Sequence, residues 1–187
     1  MIVVLGATAC EETNPFRNTQ ERVFSGSSEL WELSLDGFPS GWDFPSATRL
    51  FVGTSGVDNF TGTFVLDARE DGTLVLVPFS ILAAGLSGQR TGIRDLGAVS
   101  FDGVQSVPTD GYNSTSDPEG TMIEIGHVYA FRIALLISAV VPINYGKLEV
   151  IDIGQQDPAD PRSRFIRFRW AYQLQPNNTD LRVEEEG

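Results

Sequence analysis

The feature of this sequence that most constrains its fold is a period-two alternation of apolar and polar residues in short runs. It is clearest in RFIRFRWAYQLQ, residues 164–175, because alternate side chains of a strand point to opposite faces of a sheet. One face carries Ile166, Phe168, Trp170, Tyr172 and Leu174. The other carries Phe165, Arg167, Arg169, Ala171, Gln173 and Gln175. This pattern predicts a core strand with one buried face and one polar face.

The two arginines in the middle of this strand have two interpretations. Arg167 and Arg169 can pair with acidic neighbours on a solvated face, where each exposed pair contributes under about 1 kcal/mol. Alternatively, their guanidinium groups can bind the carboxylate or phosphate of a ligand. The first interpretation is the simpler one, because the chain holds 25 acidic residues against 13 basic ones.

Further strands are predicted at residues 29–35, 60–67, 73–80, 121–133 and 145–153, where alternating runs recur. Between the second and third of these runs, Asp71-Gly72 is a strong hairpin signal. Pro78 lacks a backbone donor, so its strand should end there or lie at an edge. In residues 121–133, the alternation places His127 on the same face as Ile125 and Tyr129.

Helix signals are scarce. SILAAGLSG, residues 80–88, allows one or two turns, but its glycines disfavour a longer helix. ALLISAVV, residues 134–141, is apolar apart from Ser138 and fits a buried strand or a strand–bend–strand. With 19 glycines and 10 prolines, the sequence predicts an all-β fold with little helix: a single antiparallel β-sandwich or barrel-like domain over residues 28–187.

Composition excludes several functions. The formal net charge of −12 argues against a nucleic-acid partner, because such proteins usually carry a basic surface. One cysteine, Cys10, permits neither an intramolecular disulfide nor a cysteine-based zinc site. The sequence shows no nucleophile elbow, and its carboxylates have no diagnostic spacing, so we expect a protein that is not an enzyme.

The N-terminus, MIVVLGATACEETNPF, resembles the end of a bacterial lipoprotein signal, in which small residues precede a cysteine that becomes lipid-modified. The resemblance implies that Cys10 is lipidated and that residues 1–27 hold a signal remnant and a polar tether. The apolar run is shorter than that of a signal core. The alternative is an ordinary apolar N-terminus with an incidental cysteine.

Four motifs occur in a recognisable order between residues 28 and 181. They are GWDFPSATRLFVGTSG (41–56), VPTDGY (107–112), VYAFRI followed by YGKLEV (128–133 and 145–150), and FIRFRWAYQLQP (165–176). In this order they resemble the HmuY-like family of bacterial surface lipoproteins. The resemblance implies an all-β protein that is lipid-anchored at the bacterial outer membrane or cell surface. Some members bind haem for delivery to an outer-membrane transporter.

The family ligates haem through two histidines between the second and third motifs. Here that segment, residues 113–127, is shortened and holds only His127, at its end. The resemblance therefore leaves His127 as the candidate haem-iron ligand, with Met122 as a second. In one extended strand these two fall on opposite faces unless a bulge forms at Gly126. Trp42, Tyr112 and Tyr129 are the candidates for stacking on a ligand.

Two functions remain open on this sequence. The first is a lipid-anchored envelope protein that binds haem or another apolar small ligand. The second is a structural or interaction module that has lost haem binding, in which His127 is a core or strand-end residue. The shortened segment favours the second function where haem is concerned.

Overall fold

The computed structural model describes residues 23–52, 62–82, 88–113, 118–136 and 141–183. These residues form ten strands and one four-residue helix. The elements are β1 (Val23–Trp31), β2 (Gly41–Asp43), β3 (Thr48–Leu50), β4 (Phe64–Ala68), β5 (Leu74–Pro78), α1 (Phe79–Leu82), β6 (Gln89–Asp95), β7 (Thr121–Met122), β8 (Val128–Leu135), β9 (Ile143–Gln155) and β10 (Arg164–Gln173). No helix among the described residues is long and apolar enough to span a membrane.

The strands form two antiparallel five-stranded sheets. Sheet A has the order β1-β10-β9-β8-β6, and sheet B has the order β3-β2-β4-β5-β7. The all-β class with little helix that the sequence predicts is therefore confirmed, as a sandwich. Strand β1 forms one edge of sheet A and β3 forms one edge of sheet B, and only β2 lies between them in the chain.

An aromatic core fills the space between the sheets. From sheet B, the Trp42 ring lies 5.5 Å from that of Phe168, and the Phe64 ring lies 5.1 Å from that of Phe131. Phe44, which follows β2, stacks on Tyr172 at 5.8 Å. Edge-on and offset contacts of this kind add to the free energy gained from burying the rings.

Strand β10 has the predicted buried face, since Ile166, Phe168, Trp170 and Tyr172 all lie in this core. Its other face is only partly exposed to solvent. Ala171 and Gln173 at the end of the strand are buried, and Ala171 packs in a second cluster with Phe101, Val107 and Leu181. The sequence pattern alone does not show this second layer, because the covering residues come from distant segments.

The arginines of β10 pair with carboxylates. Arg167 lies 3.7 Å from Glu29 and 3.5 Å from Asp152, and its side chain is exposed. Arg169 pairs with Glu149 and with Asp102. The interpretation of this face as acidic–basic pairs thus agrees with the structure.

Local signals for turns and strand ends are confirmed. Strands β4 and β5 form the predicted hairpin, in which Gly72 adopts a positive φ of 85°. Pro78 is the last residue of β5.

Strand β1 begins at Val23, so residues 23–27, which composition assigns to the tether, lie in sheet A. Cys10 and the rest of the tether lie outside the described residues.

Three sequence predictions are wrong in part. Residues 29–35 are not one strand, because β1 ends at Trp31 and residues 33–34 form a turn. Residues 121–133 are not one strand, because a turn at Glu124–His127 separates β7 in sheet B from β8 in sheet A. The run 134–141 is not a buried strand throughout, because Leu136 and Val141 are exposed. Strands β8 and β9, on either side of this run, pair with each other as a hairpin. Residues 137–140 of that run, like 83–87 after α1, lie outside the described residues.

Candidate functional site

The turn before β8 decides where the two candidate haem ligands lie. Gly126 has a φ of 80°, which glycine adopts without strain, and its N–H donates to Val150 O at 2.8 Å. Met122 therefore ends β7 in sheet B with an exposed side chain, whereas His127 enters β8 in sheet A. Ile125, predicted on the face of His127 and Tyr129, is 57% exposed, while Tyr129 is fully buried.

Both ring nitrogens of His127 face carboxylates. Nδ1 lies 3.1 Å from Asp95 Oδ2, and Nε2 lies 3.4 Å from Glu124 Oε2. The ring packs beside Tyr129, with 6.4 Å between the centroids. An iron atom would have to displace one of these carboxylates, so the arrangement does not fit a ready axial ligand to haem. It fits a histidine that ties the turn to the end of β6.

The three candidate stacking residues belong to different parts of the molecule. Trp42 is 2% exposed and lies between the sheets. Tyr129 is buried, and its hydroxyl oxygen accepts the N–H of Glu124 at 2.8 Å. Tyr112 is half-buried and donates its hydroxyl to Pro108 O at 2.6 Å. Burial raises the pKa of both tyrosines. None of the three lines a cleft described below.

Trp42 nevertheless has one unusual property. Its indole Nε1 is buried and has no hydrogen-bond acceptor among the described residues. Buried donors are paired in the great majority of cases, so an unpaired one needs an explanation. Trp42 is the cross-strand partner of Arg49 and packs edge-on against Phe168.

Those two neighbours of Trp42 line an open cleft of about 480 Å³, which we call the edge cleft. Its lining residues are Ser27, Ser28, Glu29, Arg49, Ile151, Arg167 and Phe168. They come from β1, β9 and β10 of sheet A and from β3 of sheet B. The edge cleft therefore lies on the side of the sandwich where the two sheets have their edge strands β1 and β3. Its volume is within the usual range for small-ligand sites.

The walls of the edge cleft combine apolar and unpaired polar groups. Ile151 is 50% exposed, because a register shift between Arg167 and Phe168 inserts it into β9 as a bulge. Arg49 is exposed and has no carboxylate within 4.0 Å among the described residues. The hydroxyls of Ser27 and Ser28 likewise have no hydrogen-bond partner in the described part of the chain.

Sequence reasoning did not single out the edge cleft. The sequence signal for this cleft was the position of Arg49 in the first of the four motifs. Whether Arg49 has a carboxylate partner depends on the fold and cannot be read from the sequence. The bulge that exposes Ile151 coincides with a change of phase in residues 145–153, where Val150 and Ile151 are adjacent apolar residues, but this change does not show that Ile151 lines a cleft. The cleft also joins residues more than 100 positions apart in the chain.

Two further clefts of about 340 and 570 Å³ adjoin the β4–β5 hairpin. Their arginines are engaged with carboxylates or backbone carbonyls. Arg164 donates Nε to the buried Glu32 at 2.8 Å, and its guanidinium also reaches Gly72 O at the hairpin. Arg69 lies 3.7 Å from Glu119. The Arg164 contacts hold the hairpin against the start of β10, and the Arg69 contact holds it against the segment before β7, so a structural role accounts for them.

No group of three or more histidine, cysteine or acidic side chains in the described segments is placed to hold a metal ion. A comparison of the chain with protein-family models, curated proteins and solved structures found no match.

Proposed function

We infer that this chain is a non-enzymatic, lipid-anchored protein of the bacterial cell envelope, with an HmuY-like fold, that binds a small apolar ligand. The observation that carries the binding function is the edge cleft. It is of ligand size and exposes the apolar Ile151 beside polar groups without partners. The anchor at Cys10 and the location at the outer membrane or cell surface rest on the sequence resemblance alone.

Haem held by His127 is the less favoured ligand. The carboxylates of Asp95 and Glu124 occupy both ring nitrogens of His127, and the buried Trp42 and Tyr129 stabilise the sandwich interior. These residues thus have structural roles that account for their positions. The described residues that line the edge cleft include no histidine, cysteine or methionine.

Binding to the edge cleft can be measured with N-phenyl-1-naphthylamine, a neutral apolar fluorophore. We expect a saturable rise in its fluorescence with the full chain, and several-fold weaker binding after Ile151→Ser, because this change removes apolar contact area. Ile125→Ser is the matched control: Ile125 is equally exposed, at 57% against 50% for Ile151, and lies outside the cleft. Equal effects of the two substitutions would count against the cleft.

The same proteins can be titrated with hemin to test the alternative ligand. We expect hemin to give the same Soret band with the His127→Ala variant as with the unsubstituted chain. A saturable, red-shifted Soret band that His127→Ala abolishes would instead make this a haem protein with one histidine ligand.

The second candidate function is a structural or interaction module without a small ligand. The observation in its favour is the filled aromatic interior, in which Phe44, Phe64, Phe131 and Phe168 are all fully buried. A chain that gives no saturable response to either the fluorophore or hemin would support this function.

A further inference from the structure

The charge balance of the edge cleft points to the kind of ligand it would take. Most described arginines lie within 4.0 Å of a carboxylate; these are Arg69, Arg94, Arg162, Arg164, Arg167, Arg169 and Arg182. The exceptions among the described residues are Arg49, Arg90 and Arg132. Of these exceptions, only Arg49 lines one of the three clefts. In a chain with a net charge of −12, the guanidinium of Arg49 thus lines a cleft without a carboxylate partner among the described residues.

The other charges of the edge cleft do not neutralise Arg49. Glu29, the carboxylate that lines the cleft, lies 3.7 Å from Arg167, which is also 3.5 Å from Asp152. Among the described residues that line the cleft, the charge available to a ligand is therefore positive. A guanidinium offers several N–H donors in a planar fork that matches a carboxylate, phosphate or sulfonate group.

Apolar surface lies in the same cleft as this charge. Ile151 provides exposed apolar surface, whereas Phe168 adjoins the cleft but is fully buried, and the Ser27 and Ser28 hydroxyls add neutral hydrogen-bonding groups. Trp42 is the cross-strand partner of Arg49 and packs edge-on against Phe168, and its Nε1 has no acceptor among the described residues. An anionic head group beside an apolar body is the ligand shape that complements this distribution.

We propose that the edge cleft binds a small anionic amphiphile, with the anionic head on Arg49 and the apolar body against Ile151. This proposal rests on the binding function inferred above and adds the charge and orientation of the ligand. It concerns residues of β1, β3, β9 and β10, which are separate from His127 and Met122.

A matched pair of fluorophores tests the head group. 8-Anilinonaphthalene-1-sulfonate has the aromatic body of N-phenyl-1-naphthylamine with one added sulfonate. We expect the full chain to bind the sulfonate about tenfold more tightly than the neutral compound, as a charge-assisted hydrogen bond would give. Arg49→Ala should remove that preference, whereas Arg49→Lys should keep part of it, and added salt should weaken it.

Arg90→Ala is the control for the loss of one positive charge. Arg90 is also exposed and lacks a carboxylate partner among the described residues, but it lies on β6 at the opposite edge of sheet A. The Arg90→Ala variant should bind the sulfonate with an affinity within about twofold of that of the unsubstituted chain, because exposed charges far apart on the surface are largely screened. Laurate should displace the bound sulfonate, and dodecyltrimethylammonium should not.

Two results would overturn the proposal, and they differ in what they say about the binding function. If the two fluorophores bind with equal affinity and Ile151→Ser weakens the binding of both, the cleft is an apolar site that does not select an anionic head group. No saturable binding of either fluorophore would remove the cleft itself and with it the proposed function. Near-UV circular dichroism of each variant establishes that the sandwich remains folded.

Discussion

Lys147, the only lysine of the chain, shows how one residue can organise a layer of the fold. It is 1% exposed, on the face of sheet A that packs on the second cluster. Its Nζ donates to Phe101 O at 2.8 Å and Val104 O at 2.7 Å and lies 4.2 Å from the centre of the Phe101 ring. Burial lowers the pKa of Lys147 to about 8, because the charged ammonium loses its hydration.

This lowered pKa predicts how the free energy of unfolding varies with pH. Between about pH 8 and pH 10 the unfolded chain binds more protons at Lys147 than the folded chain does, so stability rises with pH. The rise should be on the order of 2 kcal/mol. Above about pH 10 tyrosines of the unfolded chain ionise, while burial raises the pKa of Tyr112, Tyr129 and Tyr172 in the folded state, so stability falls.

Urea unfolding at several pH values checks this rise, with Lys147→Met as the comparison. The variant should show a flat profile between pH 8 and pH 10 if Lys147 causes the increase. Because the chain has one lysine, ¹³C-labelled lysine gives a single side-chain signal, whose titration reports the pKa directly. Parallel stability profiles for the two proteins would contradict the assignment to Lys147.

Among the elements, the turn that separates β7 from β8 carries the largest departure from the sequence pattern. Alternation over residues 121–133 continues across Gly126, so period-two counting cannot detect the turn there. The positive φ of Gly126 sends the chain from sheet B to sheet A, and the Gly126 N–H bonds to Val150 O in β9. A glycine inside a predicted strand is the one local signal for such a break.

Gly126→Ala tests whether this conformation is needed. A Cβ at Gly126 meets no atom within 4 Å, so the cost comes from the positive φ alone and should be about 1 kcal/mol of unfolding free energy. Gly88→Ala is the matched control, because its added Cβ also meets nothing and its φ is not positive. It should be neutral or slightly stabilising. Chemical denaturation of both variants provides the measurement, and equal costs would show that φ at Gly126 is not the determinant.

Over the whole molecule, the sequence predicts those structural features that depend on residues close together in the chain. The buried face of β10, the hairpin at Asp71-Gly72 and the end of β5 at Pro78 follow from local spacing and turn chemistry. The edge cleft and the burial of Ala171 do not, because they depend on which distant segments meet. His127 is the intermediate case: its closeness to a strand is predictable, but it lies before β8 and not inside a strand, and the two carboxylates around it come from β6 and from a turn.

The outer face of sheet A depends on a cover made by distant parts of the chain. Residues 101–107 and the C-terminal segment close over it together. The Leu181 N–H donates to Gln105 O at 2.8 Å, and the Val107 N–H donates to Thr179 O at 3.1 Å. Leu181 is fully buried in the second cluster beside Ala171. We therefore regard residues 177–183 as part of the folded unit, although no strand or helix lies among them.

Leu181→Ala tests this view of the C-terminal segment. Truncation of a fully buried leucine should lower the free energy of unfolding by about 2–4 kcal/mol, because it removes apolar contacts and leaves a cavity. Val183→Ala, two residues further on and exposed, should cost under about 0.5 kcal/mol. Urea unfolding measures both. A small effect at both positions would mean that the segment lies on the sheet without stabilising it. A large effect at Leu181 alone would mean that the cluster outside sheet A is a structural core in addition to the one between the sheets.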